Sequence, residues 1–215
     1  MIKIFIHPVK YPVALSIYII EHFFTITYNP SLKYQKKLWV ATIFLWFNSI
    51  MITIRPILKD EIPAAKRVIL TVGFGIFGWD GSLDDSIQYF EHSDEFADMD
   101  NLQTHYFDNG GLFLAALDEN KLIGSGAIRK LDEATAELKR IWLSEEYHGQ
   151  GIGFQLVTLL FNFAHAQGYR HIRLQTSPQQ TRAIAFYKRI GFMEIPCYND
   201  DRGAVSMEIT LGGTK

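Results

Sequence analysis

The chain has 215 residues which, at roughly 150 per domain, is one full domain with an appendage. Its 48% apolar and 20% charged residues are ordinary for a globular protein and exclude intrinsic disorder, collagen-like repeats and coiled coil, while a net charge of −2 gives no basic footprint for nucleic acid. The single cysteine, Cys197, excludes an intramolecular disulfide and a multi-Cys zinc site, and is consistent with a reducing compartment, so a cytoplasmic location is expected.

The chain changes character near residue 51. Residues 1–50 hold 11 of the 30 aromatics and six charged side chains, which net +4 and leave −6 for the rest. The longest uncharged run, Leu38 to Ile54, has 17 residues, which at about 1.5 Å per residue is too short for a hydrocarbon core of about 30 Å. No small-x-small cleavage pattern follows the apolar stretch at 11–20, which argues against a secretory signal. In this leader 26 of 50 residues are Phe, Tyr, Ile, Lys, Asn or Met, the bias of a low-GC reading frame. The expectation is that the functional chain begins at Met51 and that 1–50 is upstream sequence read in frame. An interfacial or membrane-associated leader is the alternative, and membrane contact is expected only if the leader is retained.

From residue 51 the elements follow in order. Ile52 to Pro56 alternates like a strand, and Asp60-Glu61-Ile62-Pro63 reads as a helix start, the helix running to about Thr71. Ser82-Leu83-Asp84-Asp85 resembles a capping box, with Leu83, Ile87 and Phe90 on one face of a second helix. Gly111 to Asp118, Lys121 to Leu131 and Thr135 to Leu143 read as an antiparallel meander. From Gly151, Ile152, Leu156, Leu159, Leu160 and Phe163 repeat at helical spacing as far as Gly168. A strand at His171 to Thr176, a helix at Thr181 to Ile190 and strands at Phe192 to Tyr198 and Ala204 to Leu211 complete the order β-α-α-β-β-β-α-β-α-β-β.

The turn from Leu143 into the third helix carries the chemistry. In Tyr147-His148-Gly149-Gln150-Gly151-Ile152-Gly153, three glycines at alternate positions let a ligand approach the backbone, and the unpaired amides of a helix start favour phosphate or pyrophosphate. A glycine-rich turn with no ligand is the bland alternative.

This turn resembles the acyl-CoA loop of the GNAT superfamily of N-acetyltransferases, which reads Arg or Gln, x, x, Gly, x, Gly or Ala. His148, Gly151 and Gly153 occupy its positions. The family's later helix reads Asn, x, x, Ala, x, x, x, Tyr, x, x, x, Gly, Phe, and Gln180, Ala183, Tyr187, Gly191 and Phe192 stand at the matching places. The likeness spans about residues 52–211. It implies an α/β fold with a mixed, mostly antiparallel sheet of about seven strands flanked by four helices. Its fourth and fifth strands would splay to admit the pantetheine arm.

The resemblance also implies acetyl-CoA as cosubstrate and direct transfer of acetyl to an amine of a small molecule or peptide. A non-catalytic acyl-CoA sensor or scaffold of the same fold is the alternative. Ile141 and the Leu143 amide would face the thioester arm; His148, Gly149 and the amides of Gln150, Gly151, Ile152 and Gly153 would hold the pyrophosphate, with Gln180 beside them. His148 replaces a permanent cation or amide by a group of reference pKa about 6.5, so weaker and more pH-sensitive cofactor affinity is expected than for an Arg.

Tyr187 aligns with the family's partner for the departing thiolate; filling core from the apolar face of its helix is its other role. Glu137 lies six residues before Leu143, and strict alternation puts both on one strand face, making Glu137 a candidate base beside water and Tyr106. A solvated or paired carboxylate is the plainer reading, and a bulge would spoil the count. Cys197 reads as packing.

Eight acids between Asp80 and Asp100, with no Lys or Arg from Val68 to Asn120, raise the idea of a cationic acceptor beside the plainer one of a solvated surface. Gly73-Phe74-Gly75-Ile76-Phe77-Gly78 matches a dinucleotide fingerprint literally, but it follows a helix and reads better as a mobile loop over the acceptor site. The seven histidines show no ligand spacing, so no metal is expected. A homodimer is left open.

Overall fold

The computed structural model describes residues 52–199 and 201–212, so the leader and the expected start at Met51 lie outside the described residues. Strand β1 (Ile52–Pro56) leads into helix α1 (Ile62–Phe77) through a 3-10 turn at Lys59–Glu61. The Glu61 carboxylate accepts from the Leu58 amide at 2.8 Å and from the Arg55 guanidinium at 2.6 Å. Helix α2 (Leu83–Glu91) begins at the expected capping box, with the Asp85 amide donating to Ser82 Oγ at 3.1 Å and the Ser82 amide to Asp85 Oδ2 at 2.9 Å. A 3-10 turn (Asp94–Phe96), the short helix α3 (Ala97–Asp100) and a π turn (Gln103–Phe107) then lead to the meander β2 (Leu112–Asp118), β3 (Lys121–Lys130) and β4 (Thr135–Leu143). Helix α4 (Ile152–Ala166), β5 (His171–Thr176), α5 (Thr181–Arg189), β6 (Met193–Glu194) and β7 (Val205–Thr210) complete the order.

The seven strands form one sheet in the order β1-β2-β3-β4-β5-β7-β6, antiparallel throughout except for the parallel pair β4–β5. This is the mixed, mostly antiparallel sheet expected from the sequence. One face packs on α4 and α5, where Leu156 and Leu160 are fully buried; burial of such side chains contributes roughly 1.5–3 kcal/mol each. The other face packs on α1 and on the 94–107 segment through Ile69, Phe96, Met99 and Tyr106. Leu159, expected on the buried stripe of α4, is instead 42% exposed, and Val157 takes the inward position.

The largest departure from the sequence reading is in α1, which runs six residues past Thr71 and stops at Gly78, whose left-handed backbone (φ 60°) and amide bond to Phe74 O form the cap. The expected mobile loop at 73–78 is therefore helix. Glycines at 73 and 75 lower helix propensity by about 1 kcal/mol each, and this is what the sequence reading weighed. Packing outweighs it: Gly73 is buried, and a Cβ there would meet the Trp79 ring at 2.9 Å. That indole is stacked on Phe77 and packed against Phe90, at centroid distances of 5.5 and 4.9 Å, so it has little freedom to yield. At Gly75 the nearest atom is Glu145 Oε1, at an ordinary 3.7 Å. Gly75→Ala is accordingly expected to stabilise the protein by up to about 1 kcal/mol. Gly73→Ala should lose that gain and cost about 1 kcal/mol or more through crowding. Urea unfolding of the two variants checks the opposite signs.

Candidate functional site

The parallel pairing of β4 with β5 is short. Thr135, Ala136 and Glu137 pair with His171, Ile172 and Arg173, and beyond Glu137 the strands part. Into the gap opens a cleft of about 590 Å³, floored by Ile141 and Leu143, closed at one end by the His148–Gly153 turn and walled by α5. Val72 and Ile76, from the turns of α1 that the sequence reading took for loop, line the α1 side. A smaller depression of about 430 Å³ on the α2 surface gathers Asp85, Gln88, Tyr89, His92 and Ser93, with no glycine turn and no strand edge, so it offers none of the chemistry described next.

The turn is shaped by Gly149 (φ 79°) and Gly151 (φ 82°), backbone that costs a residue bearing Cβ about 1–2 kcal/mol. Gly151 is the N-cap of α4 and brings no side-chain oxygen, so the helix's first intrahelical amide bond is from Gln155 to Gly151 O, at 3.0 Å. Among the described residues, the amides of 149–154 have no acceptor within the protein. With the positive end of the helix dipole behind them, they form an anion cradle. The turn is tied down from outside: Tyr147 donates to Asp118 at 2.7 Å, and Lys121 pairs with Glu146 at 3.2 Å. The bond to Asp118, with some burial, raises the Tyr147 phenol to about 12, so it remains a donor.

His148 lines the cleft, but its ring is anchored rather than extended. Nε2 lies 2.9 Å from the Leu143 carbonyl, which makes Nε2 the protonated nitrogen. The other nitrogen, Nδ1, is enclosed without a partner among the described residues. Gln180 is half committed, its Oε1 accepting from Thr176 Oγ1 at 2.7 Å and from the Ser177 amide at 3.1 Å. Tyr187 is 6% exposed, packed between Phe186 and Phe192, and faces the cleft. Its hydroxyl has no protein partner among the described residues, and burial raises its pKa, so it stays protonated.

The cleft thus gathers Ile141, Leu143, His148, Gly149, Gly151, Ile152, Gly153, Gln180 and Tyr187. Gln150 stays in the turn but outside the lining, its Nε2 donating to Glu146 O at 3.0 Å. Glu137 is not part of it. Ser125 faces Trp142 while Ala127 faces Lys139, so β4 carries one extra residue between Glu137 and Leu143, and the alternation is reversed. Ala136 and Leu138 before the bulge, and Ile141 and Leu143 after it, pack on the α4 side; Glu137 points to the opposite face. Both its oxygens are engaged, Oε2 by Arg129 at 2.7 Å and Oε1 by the Tyr198 hydroxyl at 3.0 Å. The expectation of a shared face with Leu143 is overturned, and the paired-carboxylate reading fits.

Tyr106, the other side-chain route to a base, is fully buried and donates to Asp98. Cys197, expected to pack, is exposed in the β6–β7 connection and bonds to the carbonyls of Asn199 (3.0 Å) and Asp201 (3.3 Å). Of the eight acids at 80–100, Asp84, Glu95, Asp98 and Asp100 pair with Arg67, Arg140, Arg140 and Lys66, which weakens the field expected to attract a cation. Sequence reasoning missed Val72, Ile76, Glu145 and Phe154 on the cleft wall. A correct length for α1 would have revealed the first two. Among the described residues no three His, Cys, Asp or Glu side chains gather as a metal group, and no helix is long and apolar enough to cross a membrane.

Residues 79–192, more than half of the chain, match the acetyltransferase (GNAT) family. The chain belongs to the GNAT family. This GNAT protein is 34% identical over 101 residues to human N-acetyltransferase 8B and 33% identical over 101 residues to human N-acetyltransferase 8, covering 44% of this chain and 44% of each relative. It therefore spans a little under half the length of the curated relatives it matches. Among solved structures, a GNAT acetyltransferase of Staphylococcus aureus Mu50 superposes with a TM-score of 0.63 at 21% identity, covering 74% of this chain and 99% of that one. The PaiA N-acetyltransferase of Thermoplasma acidophilum, in complex with coenzyme A, gives 0.61 at 21%, covering 74% and 98%. At such identities the likeness establishes the GNAT fold.

Because both Glu137 oxygens serve Arg129 and Tyr198, Glu137→Gln is expected to lower stability by roughly 1–3 kcal/mol while leaving kcat of the folded protein close to wild type. A loss of 10²-fold or more in kcat with unchanged folding would make it a base after all.

Proposed function

We propose that the protein transfers an acetyl group from acetyl-CoA to an amine of a small molecule or peptide, by direct attack within a ternary complex. One observation carries this reading: among the described residues the amides of Gly149, Gly151, Ile152, Gly153 and Phe154 and the Tyr187 hydroxyl have no partner, and all these residues line the same cleft, at the place where β4 leaves β5. A diphosphate fits the amide cradle, and an extended arm carrying amide groups fits beside the free edge of β4, where backbone groups can pair with it as a strand would. When bound, acetyl-CoA supplies an activated acyl group on a thiol leaving group.

The chain's own residues supply the rest. Backbone amides of β4 polarise the carbonyl under attack, and the α4 amides hold the diphosphate so that the acyl group is presented in a fixed place. Tyr187 donates a hydrogen bond to the departing sulfur. With its pKa raised by burial, full proton transfer to a thiolate is uphill, so hydrogen bonding is its contribution and the sulfur leaves as thiolate, to be protonated from solvent. Solvent at the open side of the cleft also takes up the proton that the amine loses, since Glu137 and Tyr106 are both engaged.

His148 anchors the Leu143 carbonyl through Nε2 and so fixes the end of β4 where it enters the glycine turn.

Tyr187→Phe should lower kcat by about 10- to 100-fold, the worth of a hydrogen bond to a charged group, with little change in KM for acetyl-CoA. Unchanged turnover would leave Tyr187 a core residue. The decisive experiment is release of free thiol from acetyl-CoA by the full chain across a panel of small amines, peptides and aminoglycosides. Acceptor-dependent release supports the transferase, and binding of coenzyme A without any release refutes it.

A further inference from the structure

Among the described residues only two that are not glycine have left-handed backbone, Glu119 at φ 53° and Arg140 at φ 56°. Glu119 sits in the tight β2–β3 turn, where such a conformation is ordinary. Arg140 lies within β4, at the bulge that opposes Arg140 and Ile141 to Gly126. Left-handed backbone under a long side chain is strained and persists only where the surroundings fix it.

The fixing groups surround Arg140. Its Nη2 donates to Asp98 Oδ1 at 2.6 Å and its Nε to Asp98 Oδ2 at 3.2 Å, while Nη1 reaches Glu95 Oε1 at 3.2 Å and Nη2 also meets the Glu95 carbonyl at 2.5 Å. The guanidinium lies 5.2 Å over the Phe96 ring. Tyr106 donates to the same Asp98, and the Ser125 hydroxyl donates to the Arg140 carbonyl at 2.9 Å. The Asp98 and Arg140 side chains are only 10% and 11% exposed. Burial alone would raise the Asp98 pKa, but the bonds and charge of Arg140, with the Tyr106 hydroxyl, hold it below the ordinary value, so the pair is charged at neutral pH.

The bulge has a direct effect on the cleft. It moves Ile141 and Leu143 to the α4 side, where they form the cleft floor; on an unbroken strand of the same register they would face α1. At Gly126 a Cβ would come within 2.7 Å of Ile141 Cδ1, so the facing strand is cut back to receive the displaced residue.

We propose that Asp98 and Arg140 are a positioning pair for acyl transfer: their ion pair holds the β4 bulge that aims Ile141 and Leu143 at the acyl-CoA cleft. Neither residue lines the cleft, and both act through the backbone of β4. The inference rests on the acyl-CoA reading of the site.

The test uses calorimetric titration of the full chain with coenzyme A, which needs no acceptor, beside thermal unfolding. Arg140→Ala and Arg140→Gly both delete the guanidinium, but only glycine accepts the left-handed backbone freely. Arg140→Ala and Asp98→Asn are expected to weaken coenzyme A binding by about tenfold or more, and Arg140→Gly to stay within about threefold of wild type, although both Arg140 variants melt at similarly lowered temperatures. Equal affinity of the Ala and Gly variants, or wild-type affinity in Asp98→Asn, would overturn the proposal. If the Arg140 variants lose a cooperative transition, Asp98→Asn, which preserves the shape of the carboxylate, decides alone. Failure of the acyl-CoA reading would show separately, as no heat from the wild-type chain.

Discussion

A sheet cannot leave a strand edge unpaired in its interior without finding other partners for its amides and carbonyls. This protein accepts that constraint at one place, where β4 departs from β5 after three paired residues. The rest of the site follows from the parting. Beyond Glu137 the facing edges of β4 and β5 have no strand partner across the gap among the described residues. The next α-helix after β4 begins with amides that also have no partner among the described residues. Two sets of unsatisfied backbone groups therefore meet at one cleft, one suited to an extended chain and one to an anion.

The side chains around this backbone framework are mostly supports. Tyr147 and Lys121 brace the turn, His148 braces the last carbonyl of β4, and the Gln180 oxygen braces the end of β5. Tyr187 differs in being buried by aromatic neighbours while its hydroxyl is left to the cleft. His148 and Gln180 stand where the family pattern has other residues, while the groups left without a partner in the turn, among the described residues, are backbone amides.

Much of this was legible in the sequence because it depends on local signals. The capping box at Ser82, the glycines of the 148–153 turn and the alternation of the meander act over a few residues, and the elements they announce are present. The errors came where tertiary packing overrode a local preference. Two glycines concealed the last turns of α1, which are held by the fit of Trp79 over Gly73. A single inserted residue in β4 reversed the alternation that had placed Glu137 beside Leu143, and nothing in the order of residues marks that insertion. Ion pairs between Arg140 and residues about 42 positions earlier were likewise invisible until the chain was folded.

The engagement of Glu137 has a mechanical meaning. It sits at the last paired position of β4 and β5, and its two oxygens grip Arg129 from β3 and Tyr198 from the β6–β7 connection, with Arg173 of β5 lying 5.6 Å from the tyrosine ring. It is a rivet at the tip of a fork. The rivet stops the split from running further down the sheet and leaves the two tines to differ in spacing above it. The β6–β7 connection is therefore part of the joint, and a change in it that removes Tyr198 would loosen the crotch from which both tines spring.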